Sequence, residues 1–202
     1  MNKQEIQKRV DELRPWHFCF NLDGVVTGTS TPDNYEKLDI MTRAGAFARP
    51  VYRNVLDLGA NSGIVSVWFA EHKQSQVLAV EGAKIFYEQL ELVVEVKGYP
   101  HSIATLREDL RGLSEDTVGS KAYDCVLLLG VLHHIPEKDR QKLIDLCYSA
   151  VNHLGEVYIQ TKTDVGALEC MEQAGFLFIE EVCDWPRQNR KAWRARKDPM
   201  KL

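Results

Sequence analysis

The chain alternates short apolar runs with longer segments whose apolar side chains recur at helical spacing. Residues 125–129, for example, contain no charged or hydrogen-bonding side chain apart from a thiol, which is typical of a strand buried on both faces. From residue 54 onward the pattern predicts strands over 54–58, 76–81, 102–107, 123–129, 155–161, 176–183 and 190–196, and helices over 62–73, 84–97, 137–152 and 164–174. Strands that alternate with helices indicate an α/β fold, in which a mainly parallel sheet is covered by helices on both faces.

The first fifty residues follow a different pattern. Ile6, Val10 and Leu13 lie at helical spacing before Pro15, which predicts a short amphipathic helix over 3–14. Asp23-Gly24 predicts the turn of a two-stranded ribbon, and a second helix is expected from Asn34 to Ala48. The chain therefore divides into an N-terminal segment, residues 1–50, and a single compact domain, residues 51–202.

The strongest motif lies at the first strand of that domain. Asn54-Val55-Leu56-Asp57-Leu58 leads into the small-residue turn Gly59-Ala60-Asn61-Ser62-Gly63 and then into a helix. This strand–loop–helix unit leaves a crevice at the carboxyl end of the sheet. Glu81 ends the next strand, 18 positions after Gly63, where a carboxylate can accept hydrogen bonds from ribose hydroxyls. The motif therefore predicts a ligand with a nucleoside end.

The turn also indicates which kind of nucleoside. A dinucleotide-binding turn reads G-x-G-x-x-G, because a pyrophosphate must lie against bare backbone, whereas Gly59, Asn61 and Gly63 read G-x-N-x-G. Asn61 tolerates the left-handed conformation that the turn needs. Asp57 would repel phosphates and attract a cationic group. We therefore expect a cationic, phosphate-free nucleoside.

Composition is compatible with a single domain. The 202 residues include 45% hydrophobic side chains, enough for a core, and the net charge of −4 argues against a surface that coats nucleic acid. No apolar stretch approaches the ~20 residues of a membrane span. The five cysteines lack metal-ligand spacing, so free thiols are expected, without a metal site, and the absence of a signal-peptide pattern favours a cytoplasmic location.

The charge is uneven toward the C-terminus. Seven cations follow residue 186 against Asp198 alone; they are Arg187, Arg190, Lys191, Arg194, Arg196, Lys197 and Lys201. Either this segment is a solvated, partly frayed tail, or it attracts an anionic substrate or RNA.

These residues resemble a known family. Asp57-Leu58-Gly59-Ala60-Asn61-Ser62-Gly63 with Glu81 is similar to the first two motifs of the class I S-adenosylmethionine-dependent methyltransferases. The segment 123–136 resembles their fourth-strand motif, and Ala174-Gly175-Phe176 resembles the turn before their sixth strand. The resemblance covers roughly residues 50–197. It implies a Rossmann-like sheet of seven strands, with the last strand inserted antiparallel, and S-adenosylmethionine as the cofactor.

The resemblance also implies where the cofactor binds. Asp57 would lie near the methionine amino group and Glu81 would hold the ribose, while Asp109 would meet the adenine amine, with Glu108 and Asp116 as competing acids. The positions implied to contact the cofactor are Asp57, Gly59, Ala60, Asn61, Gly63, Glu81, Gly82, Asp109, Leu110 and Gly130.

Two histidines follow the fourth strand. The family places this segment beside the methyl group that is transferred, and histidine suits the role of a base near neutral pH. His133 or His134 could therefore be catalytic, with His133 preferred because the start of the loop lies nearer the methyl. Alternatively, the segment serves packing and cofactor contacts alone.

The sequence gives less information about where the methyl acceptor binds. Because the fifth strand passes directly into a helix, the N-terminal segment is expected to act as a helical lid. Residues 15–27 resemble an element of a subgroup that includes tRNA wobble-uridine (carboxy)methyltransferase relatives and glycan-cluster methyltransferases. Trp16, His17 and Tyr35 are therefore predicted to line the acceptor pocket, although they could equally be lid aromatics that pack on the core.

Three functions follow from this sequence. The first is methyl transfer to a small polar or hydroxylated molecule. The second is RNA modification, favoured by the basic C-terminus but disfavoured by the acidic net charge and by the lack of an Asn/Asp-Pro-Pro-Tyr/Phe motif after the fourth strand. The third is a non-catalytic cofactor-binding protein. No membrane partner is expected, and the oligomeric state stays open.

Overall fold

A computed structural model of the chain describes residues 1–29, 33, 35–185 and 188–197. The N-terminal segment contains α1 (Lys3–Glu12), the ribbon strands β1 (Asn21–Leu22) and β2 (Val25–Val26), and α2 (Glu36–Arg43). The predicted second helix is shorter than expected, and Asn34 lies outside the described residues.

The remaining elements alternate as predicted. In chain order they are β3 (Asn54–Leu58), α3 (Ile64–Lys73), β4 (Gln76–Val80), α4 (Lys84–Lys97), β5 (Ile103–Leu106), α5 (Glu115–Val118), β6 (Tyr123–Leu129), α6 (Glu137–Ala150), β7 (Val151–Lys162), α7 (Ala167–Ala174), β8 (Phe178–Trp185) and β9 (Arg190–Arg196). Short 3₁₀ turns at Leu132–His134 and Thr163–Val165 follow β6 and β7. Two differences from prediction are the short helix α5 and the early start of β7.

Seven strands form one sheet in the order β5-β4-β3-β6-β7-β9-β8. The strands β3 to β7 pair in parallel, whereas β9 lies antiparallel between β7 and β8. The predicted seven-stranded, mostly parallel sheet with an antiparallel insertion is confirmed. The reversal of strand order beside β3 opens the crevice between β3 and β6, where ligands of open α/β sheets bind.

Two hydrophobic clusters cover the two faces of the sheet. Successive residues of one strand alternate between them, so that Val55 belongs to one cluster and Leu56 to the other. This explains why the strands contain unbroken apolar runs.

The N-terminal segment packs into the first of these clusters. Ile6 and Val10 of α1 are fully buried there together with side chains of α3 and α4. The side-chain amide of Gln89 in α4 donates hydrogen bonds to the carbonyls of Leu13 and Pro15, at 2.6 and 2.8 Å. Helix α1 therefore lies against α4.

Candidate functional site

A cavity of about 770 Å³ opens at the carboxyl ends of β3, β4 and β6. Its lining combines residues from the loops that follow these strands with residues from the N-terminal segment and β9. The lining residues are His17, Phe18, Tyr35, Asp57, Gly59, Ala60, Asn61, Ile64, Val65, Glu81, Gly82, Ala83, Phe86, Asp109, Leu110, Arg111, Leu129, Gly130, Val131, His134, Ile135, Pro136 and Arg190.

The loop after β3 forms one wall, and its conformation requires the residues found there. Gly59 has φ +77°, and a Cβ added to it would lie 2.4 Å from Cγ2 of Val131. Asn61 has φ +53°, which agrees with the prediction that it adopts the left-handed conformation. The backbone amides of Gly59 and Ala60 donate to the carbonyl of Val80, at 2.9 and 3.0 Å. The loop therefore lies flat across the ends of β3 and β4.

Gly63 lies behind the residues that line the cavity. Its φ of +87° starts α3, and an added Cβ would lie 2.4 Å from Cδ1 of Leu90. The residue is buried and does not line the cavity, whereas Ile64 and Val65 at the start of α3 do. Gly63 therefore packs against α4, and its cofactor contact stays a prediction.

Glu81 is held at the centre of the cavity wall. Its side chain is buried, with Oε2 accepting from the amide of Asn61 at 2.9 Å and Oε1 accepting from the amide of Ala83 at 2.8 Å. Each carboxylate oxygen keeps a second lone pair. Two fixed acceptors side by side are the arrangement that a pair of ribose hydroxyls requires.

Asp57 lies deeper in the same wall. The residue is 3% exposed, and Ser66 Oγ donates to its Oδ2 at 2.6 Å. Burial raises the pKa of Asp57 to about 6, and the charge of Glu81 adds to this rise, while the Ser66 hydrogen bond opposes it. A cationic group bound nearby would relieve the burial penalty of this carboxylate. The carboxylates of Asp57 and Glu81 therefore fit a ligand with an ammonium or sulfonium centre.

The far end of the cavity has an apolar wall, formed by Ala83, Phe86 and the buried Leu110. Asp109 lines this end but is paired with Arg111, whose backbone amide and Nε both donate to Oδ1 at 2.9 Å. This pairing lowers the pKa of Asp109 to about 2. Of the competing acids, neither Glu108 nor Asp116 lines the cavity. A flat apolar surface beside an acceptor suits an adenine ring.

The two histidines after β6 point in different directions. His134 lines the cavity and is exposed. His133 instead contacts Thr161 Oγ1 through Nδ1, at 3.3 Å, and Arg190 through Nε2, at 3.2 Å. The preference for His133 therefore does not match the geometry: the 3₁₀ turn directs the second histidine, not the first, toward the cavity.

Of the three predicted N-terminal contacts, two reach the cavity. His17 lies edge-on to Phe86 with ring centroids 5.0 Å apart, and Tyr35 packs against Phe18 at 5.0 Å. Trp16 does not line the cavity, because its indole nitrogen donates to the carbonyl of Val10 at 3.0 Å. Its ring packs edge-on to Phe20, 6.2 Å away. The expectation for Trp16 is corrected to a packing role between α1 and the core.

Sequence reasoning missed several lining residues, of which Phe18, Phe86 and Arg190 matter most. Phe18 lies two residues after Trp16, and a period of two would place both side chains on the same side, so this pattern gives no signal that Phe18 lines the cavity while Trp16 does not. In the sequence, Arg190 is distinguished only as one of the seven cations that follow residue 186. Its place follows from the antiparallel insertion of β9, which brings its first residue beside the ends of β6 and β7.

Within residues 1–29, 33, 35–185 and 188–197, no cluster of three or more His, Cys, Asp or Glu side chains could hold a metal ion. None of the helices in that part of the chain has the length and apolar character to cross a membrane.

A seven-stranded sheet of this order, with a glycine turn and a ribose-type carboxylate at its switch point, defines a class I S-adenosylmethionine-dependent methyltransferase. A family model described as a methyltransferase domain matches residues 55–155, and the chain therefore belongs to this family. S-adenosylmethionine is its cofactor. A search of curated protein sequences found no match.

Solved structures share the fold. The N-terminal domain of EvdMO1, crystallised in the presence of S-adenosylhomocysteine (SAH) and D-fucose, is 22% identical with a TM-score of 0.78, and the match covers 98% of both chains. The match to a longer EvdMO1 structure covers 48% of that chain, at 26% identity and a TM-score of 0.74. An O-methyltransferase family protein from Burkholderia thailandensis is 13% identical with a TM-score of 0.67, covering 98% of this chain and 70% of that one.

Proposed function

We propose that this protein transfers a methyl group from S-adenosylmethionine to a hydroxyl oxygen of a small, hydroxylated molecule. The observation that carries the proposal is the extent of the cavity. Its lining includes the carboxylates of Asp57 and Glu81 together with Gly130, His134, Tyr35 and Arg190. Ligand pockets span about 300 to 1,000 Å³, so 770 Å³ leaves space for a small acceptor beside the cofactor.

The residues present fit the cofactor. The Glu81 oxygens are placed for the ribose, Asp57 for the cationic methionine end, and the wall of Leu110 and Phe86 for the adenine. When bound, S-adenosylmethionine supplies a methyl carbon attached to a cationic sulfur, which is a good leaving group. The protein then has to align the acceptor oxygen with that carbon and exclude water.

His134 is our candidate for the base. It lines the acceptor side of the cavity, and its side chain has no hydrogen bond in the described part of the chain. As the acceptor oxygen bonds to the methyl carbon and the carbon–sulfur bond breaks, an imidazole nitrogen of His134 takes the hydroxyl proton. Tyr35 is less suited to this step, because burial raises its pKa to about 12.

The similar structures give further support for oxygen as the methylated atom. The Burkholderia thailandensis protein is described as an O-methyltransferase family protein, and a Nostoc punctiforme protein as a putative O-methyltransferase (18% identical, TM-score 0.62, covering 79% of this chain and 56% of that one). The EvdMO1 domain was crystallised in the presence of the sugar D-fucose. A sugar-like hydroxyl is therefore a reasonable first class of acceptor to assay.

The basic C-terminus gives little support for RNA as the substrate. Lys191 pairs with Glu181 at 2.7 Å, Arg194 lies 3.6 Å from the buried Glu156, and Lys197 is buried and donates to the carbonyl of Val151. These cations stabilise the sheet through such contacts and do not form a continuous exposed stripe. Arg187 and Lys201 lie outside the described residues.

The test is methyl transfer from radiolabelled S-adenosylmethionine to a panel of hydroxylated metabolites, including free sugars and sugar acids, with total RNA as a parallel substrate. Label in the metabolite fraction, as a base-stable methyl ether, supports the proposal. Label in RNA alone would contradict it. Binding of SAH with no transfer to either fraction would favour a non-catalytic cofactor-binding protein.

A further inference from the structure

Arg190 places a cation at the acceptor end of the cavity. It is the first residue of β9, in register with Lys162 of β7 and Trp185 of β8. Its NH1 group lies 3.9 Å from the point where a side chain on Gly130 would begin. No carboxylate lies within 4.0 Å of its guanidinium among the residues that the structure describes. The other cationic lining residue, Arg111, is paired with Asp109.

The contact with His133 fixes the position of Arg190 without neutralising it. A guanidinium can only donate hydrogen bonds, so Nε2 of His133, 3.2 Å from NH2 of Arg190, must accept. The neutral ring then carries its proton on Nδ1, which faces Thr161 Oγ1 at 3.3 Å. His133 is therefore a positioning residue for Arg190, and the positive charge of the guanidinium is left uncompensated by it.

Gln160 adds an independent observation at the same place. It is 1% exposed, and neither its side-chain nitrogen nor its oxygen has a hydrogen-bond partner in the described ranges. A buried amide without hydrogen-bond partners destabilises the folded protein. Its Oε1 lies 3.5 Å from where a Cβ on Gly130 would stand, so the amide lies directly behind this lining glycine.

The remaining charges on the cavity wall restrict where an anion could bind. Asp57 and Glu81 place negative charge at the cofactor end, whereas Asp109 and Arg111 neutralise each other at the adenine end. A negative group on the acceptor would therefore be repelled from the cofactor end. Arg190, with the hydroxyl of Tyr35 on the same lining, marks the region where such a group would be attracted.

We propose that the methyl acceptor carries an anionic group, a carboxylate or a phosphate ester, which Arg190 binds beside the buried amide of Gln160. The inference rests on the proposed function, since it names the substrate class of that same site. Arginine suits this role because its planar fork matches the two oxygens of a carboxylate or phosphate. The acceptor hydroxyl would then extend from the anchored group toward His134.

The experiment uses protein saturated with SAH, and acetate and inorganic phosphate as probes, with acetamide as the neutral control, all at constant ionic strength in chloride. The Nε–Hε signal of Arg190 is followed by NMR. We expect a saturable shift with acetate, with phosphate or with both, and none with acetamide. A response to acetate alone identifies a carboxylate site, and a response to phosphate alone identifies a phosphate site.

Three variants make the result specific. Arg190→Gln should weaken binding of the effective probe at least tenfold, Gln160→Leu several-fold, and Arg190→Lys should fall between the unsubstituted protein and Arg190→Gln. Arg196→Gln is the matched control, because Arg196 lies on the same strand but outside this cavity. The proposal is overturned if neither anion shifts Arg190, or if Arg190→Gln binds the probe as the unsubstituted protein does. SAH is titrated into the unsubstituted protein and into each variant. If the unsubstituted protein does not bind SAH, the result counts against the methyltransferase proposal itself. If SAH binds but neither anion does, the result counts against the Arg190 proposal alone.

Discussion

The carboxylate of Glu81 accepts a hydrogen bond from the backbone amide of Asn61 at 2.9 Å, and so joins the end of β4 to the turn after β3. The same group therefore shapes the turn and presents acceptors to the cavity. A substitution at Glu81 should affect both the loop and the ligand.

Glu81→Gln is expected to weaken SAH binding at least tenfold, which is about 1.4 kcal/mol. One amide nitrogen would replace an acceptor oxygen and face a backbone N–H or a ribose hydroxyl. Isothermal titration calorimetry measures the change. Glu88→Gln is the control, since Glu88 is paired with Lys84 on α4 and does not line the cavity. Unchanged affinity in Glu81→Gln would remove Glu81 from the cofactor site.

Asp57 predicts a pH dependence of stability in the absence of cofactor. Its folded pKa of about 6 is raised above the ordinary aspartate value of 3.8, so its contribution to stability is fully present below pH 3.8 and is lost as the pH rises through 6. The loss amounts to about 3 kcal/mol. Urea unfolding between pH 3.5 and 7.5 should show that Asp57→Asn lacks this fall. Asp116→Asn, on the exposed helix α5, should follow the unsubstituted protein; the same profile for both variants would contradict the assignment.

Gly59→Ala should cost more stability than its φ angle alone explains. Gly98, at the end of α4, has a similar φ of +80° and nothing within 4 Å of an added Cβ, so Gly98→Ala should cost about 1 kcal/mol. In Gly59→Ala the clash with Val131 should add about 1–3 kcal/mol. Denaturant unfolding measures both. Recovery in the double variant Gly59→Ala, Val131→Ala would assign the excess to that contact, and equal costs for the two glycines would argue against it.

Trp16 and His17 are neighbours with opposite expected effects. Trp16→Ala should lower the free energy of unfolding by about 2 kcal/mol, because the ring packs between α1 and the core. His17→Ala should leave stability within about 0.5 kcal/mol, since His17 is exposed, and should instead raise KM for the acceptor. Thermal unfolding and steady-state kinetics distinguish the two. A stable Trp16→Ala protein with impaired turnover would restore Trp16 to the acceptor pocket.

His134→Ala should lower kcat about 100-fold or more if His134 is the base, with SAH affinity unchanged. His101→Ala, in the exposed turn before β5, is the matched control. If His134→Ala retains full turnover, the base must be another group or the acceptor must need none.

The main architecture could be predicted because each strand of the sheet is a short apolar run bounded by turn residues. The turn after β3 and its contact with Glu81 could be predicted because Gly59, Asn61 and Glu81 have a spacing that the local strand–turn–helix geometry imposes. What the sequence did not reveal depends on side-chain direction after β6, on the reversal of β9, and on the directions of the aromatic side chains that precede the ribbon. His134, Arg190 and Phe18 belong to this second group, because their positions are set by contacts between segments far apart in the chain.

The placement of β9 has a consequence for how the chain is made. Among the described strands of this sheet β9 comes last in chain order, yet it lies inside the sheet, between β7 and β8. During translation β8 has no neighbour to pair with until residues 190–196 leave the ribosome, so the wall that carries Arg190 forms only after β8 has been made. A nascent chain that stops before residue 190 would expose two unpaired strand edges, which makes it prone to aggregation and a natural client for chaperones.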